Sequence, residues 1–242
     1  MIDGNYFLGL PKLYKNDIFI YPPKIKDVVN NINFNRCLKI LTLSQEEIED
    51  ELLEKLGNEN IPTPFEFLLI NCYSNEQYRS IAQESFNMFL HRNPLFLYNE
   101  KAICLSTKEE IANMKDINDL TLLKEEDFFN LQNMIREANG LDIIEPPNPN
   151  ENERVREMKA LIRQRDKVKN QKNSTTKLST ILCALCCMGI GLNPLNIGEI
   201  SYPAAISLVN MLQQKEKYDI DIRSILAGAD AKKIKPKYWI ND

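Results

Sequence analysis

Aromatic and β-branched residues flank the polar tripeptide Lys15-Asn16-Asp17 in the segment Tyr6 to Tyr21, which predicts a β-hairpin with a polar tip. Pro22 and Pro23 then force an extended exit, and a helical pattern runs from Lys24 to Asn30. Phe34 to Leu43 predicts a short apolar helix. Ser44-Gln45-Glu46-Glu47 has the spacing of a capping box, in which the serine accepts from the third amide and the glutamate reaches back. It opens a helix over Gln45 to Leu56, with Gly57 as the stop. Pro62 and Pro64 interrupt the chain before the apolar run Phe65 to Tyr73. Asn75 then caps a helix reaching Leu90, with Tyr78, Ile81, Phe86, Phe89 and Leu90 near helical spacing. The period changes between Pro94 and Ser106, where two apolar runs around Asn99-Glu100-Lys101 predict a second hairpin. Acidic helices are expected over Thr107 to Met114 and Lys124 to Asn139, the latter closed by Gly140.

A Pro/Asn-rich seam follows, from Glu145 to Glu153. Glu151 to Lys172 reads as a charged helix with eight Lys/Arg, four Asp/Glu and a thin apolar stripe of Val155, Met158, Leu161, Ile162 and Val168. Leu178 to Ile190 is apolar nearly all round, which predicts a helix buried in a core. Ser201 is placed to cap an amphipathic helix over Pro203 to Lys217, followed by a segment Asp219 to Leu226 and a tail from Ala227 to Ile240. The expected fold class is α+β, mainly α-helical. It comprises an acidic N-terminal module with two β-hairpins (1–145), a Pro/Asn linker and charged helix (146–173), and a basic helical C-terminal module (174–242).

Charge sharpens that division. Residues 1–150 hold 24 Asp/Glu against 14 Lys/Arg, a net of −10, and residues 151–242 hold 10 against 16, a net of +6, which together give the chain's −4. The longest apolar run, Ile181 to Ile190, falls well short of the roughly 20 residues a membrane helix needs, and the N-terminus lacks the pattern of a secretory signal. The six cysteines (37, 72, 104, 183, 186 and 187) lie inside apolar patterns, as buried free thiols in a reducing cytoplasm would.

Candidate chemistry is sparse. Eight glycines in 242 residues leave few sites for phosphate-cradling loops, and neither G-x-G-x-x-G, G-x-x-x-x-G-K-[ST] nor H-E-x-x-H occurs. The single histidine, His91, stands at a predicted helix C-terminus, where a cation is a common structural choice. A catalytic base would need a nucleophile and an orienting group, which sequence does not place beside it. Cys183-Ala184-Leu185-Cys186-Cys187 contains a C-x-x-C spacing without the second half of a zinc site. The acidic clusters Glu46 to Glu51 and Glu125 to Asp127 read as solvated helix surface. The expectation is therefore no catalytic, cofactor-binding or metal-ligating residues and no cofactor. The basic helix and the tail lysines, with Tyr238 and Trp239, suit phosphate contact and base stacking, but four acids in the helix and an acidic pI disfavour nucleic acid as a partner.

Four segments carry a family resemblance: Ile20-Tyr-Pro-Pro-Lys-Ile-Lys-Asp27 after the first hairpin, Leu41-Thr-Leu-Ser-Gln-Glu-Glu-Ile-Glu-Asp-Glu51, Met134-Ile-Arg-Glu-Ala-Asn-Gly140, and the closing Ala227-Gly-Ala-Asp-Ala-Lys-Lys-Ile-Lys-Pro-Lys-Tyr-Trp-Ile240. Together the chain resembles tail assembly chaperones and related tail proteins of Gram-positive phages and prophages, encoded near the tape measure protein. That resemblance implies a non-enzymatic, phage-encoded protein of the bacterial host cytoplasm that coats the helical tape measure protein until tail-tube subunits polymerise around it. A tail-tip or baseplate subunit retained in the virion tail is the first alternative, and a nucleic-acid-binding phage regulator the second. A homo-oligomer is compatible with any of these.

Two protein-interaction surfaces are expected from the residues. One is the platform Tyr21-Pro22-Pro23 beside the first hairpin. The other is the segment Lys235 to Trp239, in which Lys235, Tyr238 and the only tryptophan, Trp239, are candidates. Trp239 either meets a partner or packs back as a plug on the C-terminal core.

Overall fold

A computed structural model describes residues 3–56, 61–113, 121–145 and 178–238, with positions 152, 154, 155, 158, 161, 162 and 165. The fold is mainly helical with two small antiparallel sheets, an α+β architecture. The chain divides into two compact units, Met1–Ile143 with Gly198–Asp242, and Ile144–Ile197.

The larger unit opens with a single helical turn, α1 (Gly4–Phe7), where the sequence pattern predicts strand. The Asp3 carboxylate caps it by accepting from the Asn5 amide at 2.8 Å. The first hairpin follows as β1 (Lys12–Lys15) and β2 (Ile18–Ile20), shorter than expected, with Asn16 in the left-handed region at φ 50° on the turn. Helices α2 (Ile25–Asn30), α3 (Phe34–Thr42) and α4 (Gln45–Leu56) come next. The predicted box at Ser44 is present: the Ser44 amide donates to Glu47 at 2.9 Å and the Glu47 amide to Ser44 Oγ at 3.2 Å. The expected stop at Gly57 lies outside the described residues. Two further boxes repeat the spacing, Thr63 with Glu66 before α5 (Pro64–Ser74), and Thr107 with Glu110 before α7 (Lys108–Asn113). Asn75 caps α6 (Glu76–Leu90) by accepting from the Tyr78 amide.

The second hairpin, β3 (Leu95–Leu97) and β4 (Ala102–Cys104), gains a third strand, β5 (Leu122–Leu123), on the other edge of β4. Two leucines are too short a run to show an alternating pattern, so β5 is defined by its neighbour rather than by its own sequence. Helix α8 (Glu125–Glu137) returns across the core. Helices α3, α5, α6 and α8 bury one stripe each, among them Phe34, Leu41, Phe65, Leu68, Phe86, Phe89, Phe128, Leu131 and Ile135. Ring pairs set at steep angles fasten the stripes together, with Phe65 5.4 Å from Phe128 and Phe34 6.5 Å from Phe89.

Residues 198–242 belong to this same unit, not to a module with 174–197. The Ile25 amide donates to the Ile200 carbonyl at 3.0 Å and the Tyr202 amide to Pro23 at 2.7 Å, so the two ends of the unit pair like a short antiparallel ladder. Ser201 caps α10 (Tyr202–Leu226) by accepting from the Ala204 amide, and its hydroxyl donates to the Tyr6 carbonyl at 2.8 Å. Tyr202 packs edge-on to Phe34. The segments expected as Pro203 to Lys217 and Asp219 to Leu226 form this one continuous helix, followed by α11 (Ala231–Ile234).

The regrouping keeps the sign of the charge asymmetry but reduces its size. The larger unit holds 29 Asp/Glu against 21 Lys/Arg, a net of −8, and Ile144–Ile197 holds 5 against 9, a net of +4. Within that smaller unit the described positions from 154 to 165 are helical, and α9 spans Leu178–Cys187. The expectation of a core helix at Leu178 to Ile190 is corrected: Leu185 is the buried residue of α9, while Cys183, Cys187, Met188 and Ile190 are exposed. Apolarity states a preference for burial, but a packing face must come from another element. The cysteine expectation is corrected in the same way. Cys37, Cys72 and Cys104 are buried, whereas Cys183 and Cys187 face solvent.

Candidate interaction surfaces

The first hairpin carries an apolar outer face. Leu13 and Phe19 are register partners on β1 and β2, and both are exposed. Two residues on, Tyr21 stacks its ring on His91, with centroids 3.8 Å apart and planes 17° from parallel. His91 sits at the C-cap of α6 with left-handed φ 54° and ψ 36°, and its backbone amide closes the helix end by donating to the Asn87 carbonyl, while its imidazole stacks on Tyr21. Ser85 and Cys104 are both buried, and the Ser85 hydroxyl donates to the Ile81 carbonyl of its own helix.

The opposite side of the hairpin is clamped. Tyr14 donates its hydroxyl to the Asp127 carbonyl, and Lys15 reaches the Asp127 carboxylate at 2.7 Å. Lys12 bridges Asp3 at 2.9 Å and Glu137 at 3.3 Å, above the Tyr6 ring. The hydrogen bond from Lys12 holds the Asp3 carboxyl below the usual carboxylate range, and Asp3 in turn raises Lys12. Burial first, then the charges of Glu137 and Asp3, pushes the Tyr6 phenol far above its ordinary value, so it stays neutral.

The platform expected at Tyr21-Pro22-Pro23 is corrected in part. Tyr21 is half-exposed, but Pro22 and Pro23 are buried. They fill the passage between the end of α6, where the Phe89 carbonyl accepts from the Tyr21 amide, and the start of α10, where Pro23 accepts from Tyr202. Their rigidity positions the hairpin; the apolar area beside Tyr21 belongs to Phe19 and Leu13.

A second exposed surface lies on α5 and β3. Tyr73 and Tyr98 stack 4.8 Å apart with planes at 23°, Ile70 is exposed on the same face of α5, and Glu66 pairs with Lys101 at 3.1 Å. The hydrogen bond from Lys101, and then that from the Thr63 amide, lowers the Glu66 carboxyl. The signal was in the sequence: Glu66, Ile70 and Tyr73 follow i, i+4, i+7 spacing while Phe65, Leu68, Leu69 and Cys72 form the buried stripe.

At the C-terminus, Lys235 is exposed with left-handed φ 48°, and exposed Tyr238 packs edge-on to Tyr218 of α10 at 5.5 Å. Trp239 lies outside the described residues. Among the described residues there is no grouping of three or more His, Cys, Asp or Glu side chains able to hold a metal ion, and no helix is long and apolar enough to cross a membrane. Comparison with protein-family models, with curated proteins and with solved structures finds no match to this chain.

Proposed function

We propose that this is a non-enzymatic protein-binding protein of phage tail morphogenesis, a tail assembly chaperone whose client is the tape measure protein. The resemblance in four segments supports the phage-tail reading, and the paired exposure of Leu13 and Phe19 on a clamped hairpin supports the binding role. Apolar side chains presented contiguously on a rigid element mark sites where another protein excludes water. A helical client suits these shallow faces, since an amphipathic helix lays its apolar stripe against such a surface.

Co-expression with a phage tape measure protein from the same genome is the test. The expected outcome is a complex that keeps the tape measure protein soluble, and the absence of both complex and solubilisation refutes the reading. Mass spectrometry of purified virions separates the alternative: a chaperone is absent from particles, whereas a tail-tip or baseplate subunit is present at fixed stoichiometry.

A further inference from the structure

Six described positions between 154 and 165 are helical: Arg154, Val155, Met158, Leu161, Ile162 and Arg165. At about 100° per residue they fall within an arc of roughly 120°, a single stripe of the helix surface. Its four apolar side chains are solvent-exposed, Val155 at 44%, Met158 at 59%, Leu161 at 64% and Ile162 at 55%. An arginine stands at each end. The surrounding sequence, 151–177, holds nine Lys/Arg against four Asp/Glu.

We infer that this stripe is a docking site for an acidic amphipathic helix of a protein partner. Charge complementarity selects the occupant: a helix with an apolar stripe flanked by Asp and Glu covers the four side chains and places carboxylates beside Arg154 and Arg165. Nucleic acid fits less well, because a phosphate backbone leaves the apolar stripe uncovered. An anionic bilayer also fits less well. Residues 144–197 contain no Trp, Tyr or Phe, the side chains that anchor interfacial helices. The inference rests on the protein-binding reading above but not on the identity of the client.

The test uses the full-length protein and a fluorescent synthetic peptide of about 20 residues, with leucines at helical i, i+3, i+4 spacing and glutamates between them, read by anisotropy. Its isomer with lysines in place of the glutamates is the control. The acidic peptide binds and the basic one does not, and Met158→Asp with Ile162→Asp weakens binding about tenfold or more while leaving the melting temperature unchanged, because both side chains are exposed in the free protein. Equal affinity for the two peptides, or unchanged affinity in the double variant, overturns the inference. Tighter binding to duplex DNA, or to vesicles containing phosphatidylserine, also overturns it by assigning the stripe to a polyanion or to lipid. Peptide binding without tape measure capture refutes the proposed client alone; capture that survives the double variant refutes this site alone.

Discussion

Ser201→Ala tests whether the C-terminal segment is an integral part of the larger unit. The Ser201 hydroxyl does two jobs at once: its oxygen accepts from the Ala204 amide as the cap of α10, and its hydrogen goes to the carbonyls of Tyr6 at 2.8 Å and Phe7 at 3.1 Å. Losing a serine cap costs about 1 kcal/mol. The hydroxyl donation adds about 1 kcal/mol, and not more, because the Tyr6 carbonyl keeps a second donor in the Gly9 amide. The expected total of about 2 kcal/mol corresponds to a fall in melting temperature of about 4–8 °C for a unit of this size, read by calorimetry or circular dichroism. Ser201→Thr retains acceptor and donor and is expected to recover most of the loss. A Ser201→Ala protein melting within about 1 °C of the parent, or a threonine variant no better than alanine, refutes the reading that this hydroxyl fastens α10 to the N-terminal turn.

Phe86, fully buried among α3, α6 and β3, is expected to cost about 3–5 kcal/mol on Phe86→Ala, measured by urea unfolding. Cys183 and Cys187 are expected to react quickly with a thiol reagent in the native protein; Cys37 and Cys72, whose thiols burial pushes up to about 11 and about 12, react only on unfolding, as time-resolved thiol titration will show. The Glu66 carboxyl is lowered by Lys101 and the Thr63 amide, so its contribution is present above the unfolded carboxylate value and lost as pH falls through the lower folded value. Glu66→Gln is therefore expected to reduce the loss of stability on acidification below about pH 4.5, measured as melting temperature against pH.

Much of the local structure was legible in the residues. The box Ser44 to Glu47, the cap at Asn75 and the hairpin turns at Asn16-Asp17 and Asn99 to Lys101 each depend on side chains within a few positions of one another, so sequence specifies them directly. The same holds for the buried stripe of α6. What escaped depended on distant chain. β5 exists because β4 offers it an edge, and α1 because Asp3 caps a turn whose end is held by Ser201. Of the surface expected at Tyr21, Pro22 and Pro23, the tyrosine is half-exposed and the prolines are covered, since burial of an extended segment is decided by what crosses it.

The sequence alone determined the α+β class and the opposition of acidic and basic regions, because these follow from periodicity, turn chemistry and charge counts along the chain. Only the tertiary structure decided that residues 198–242 close onto the N-terminal turn, that Pro22 and Pro23 lie inside while Leu13 and Phe19 lie outside, and that Cys183 and Cys187 face water. The physical reason is common to all three. A residue's polarity sets what it gains from burial, but whether burial occurs depends on a second surface arriving from elsewhere in the chain, and no local pattern encodes that arrival.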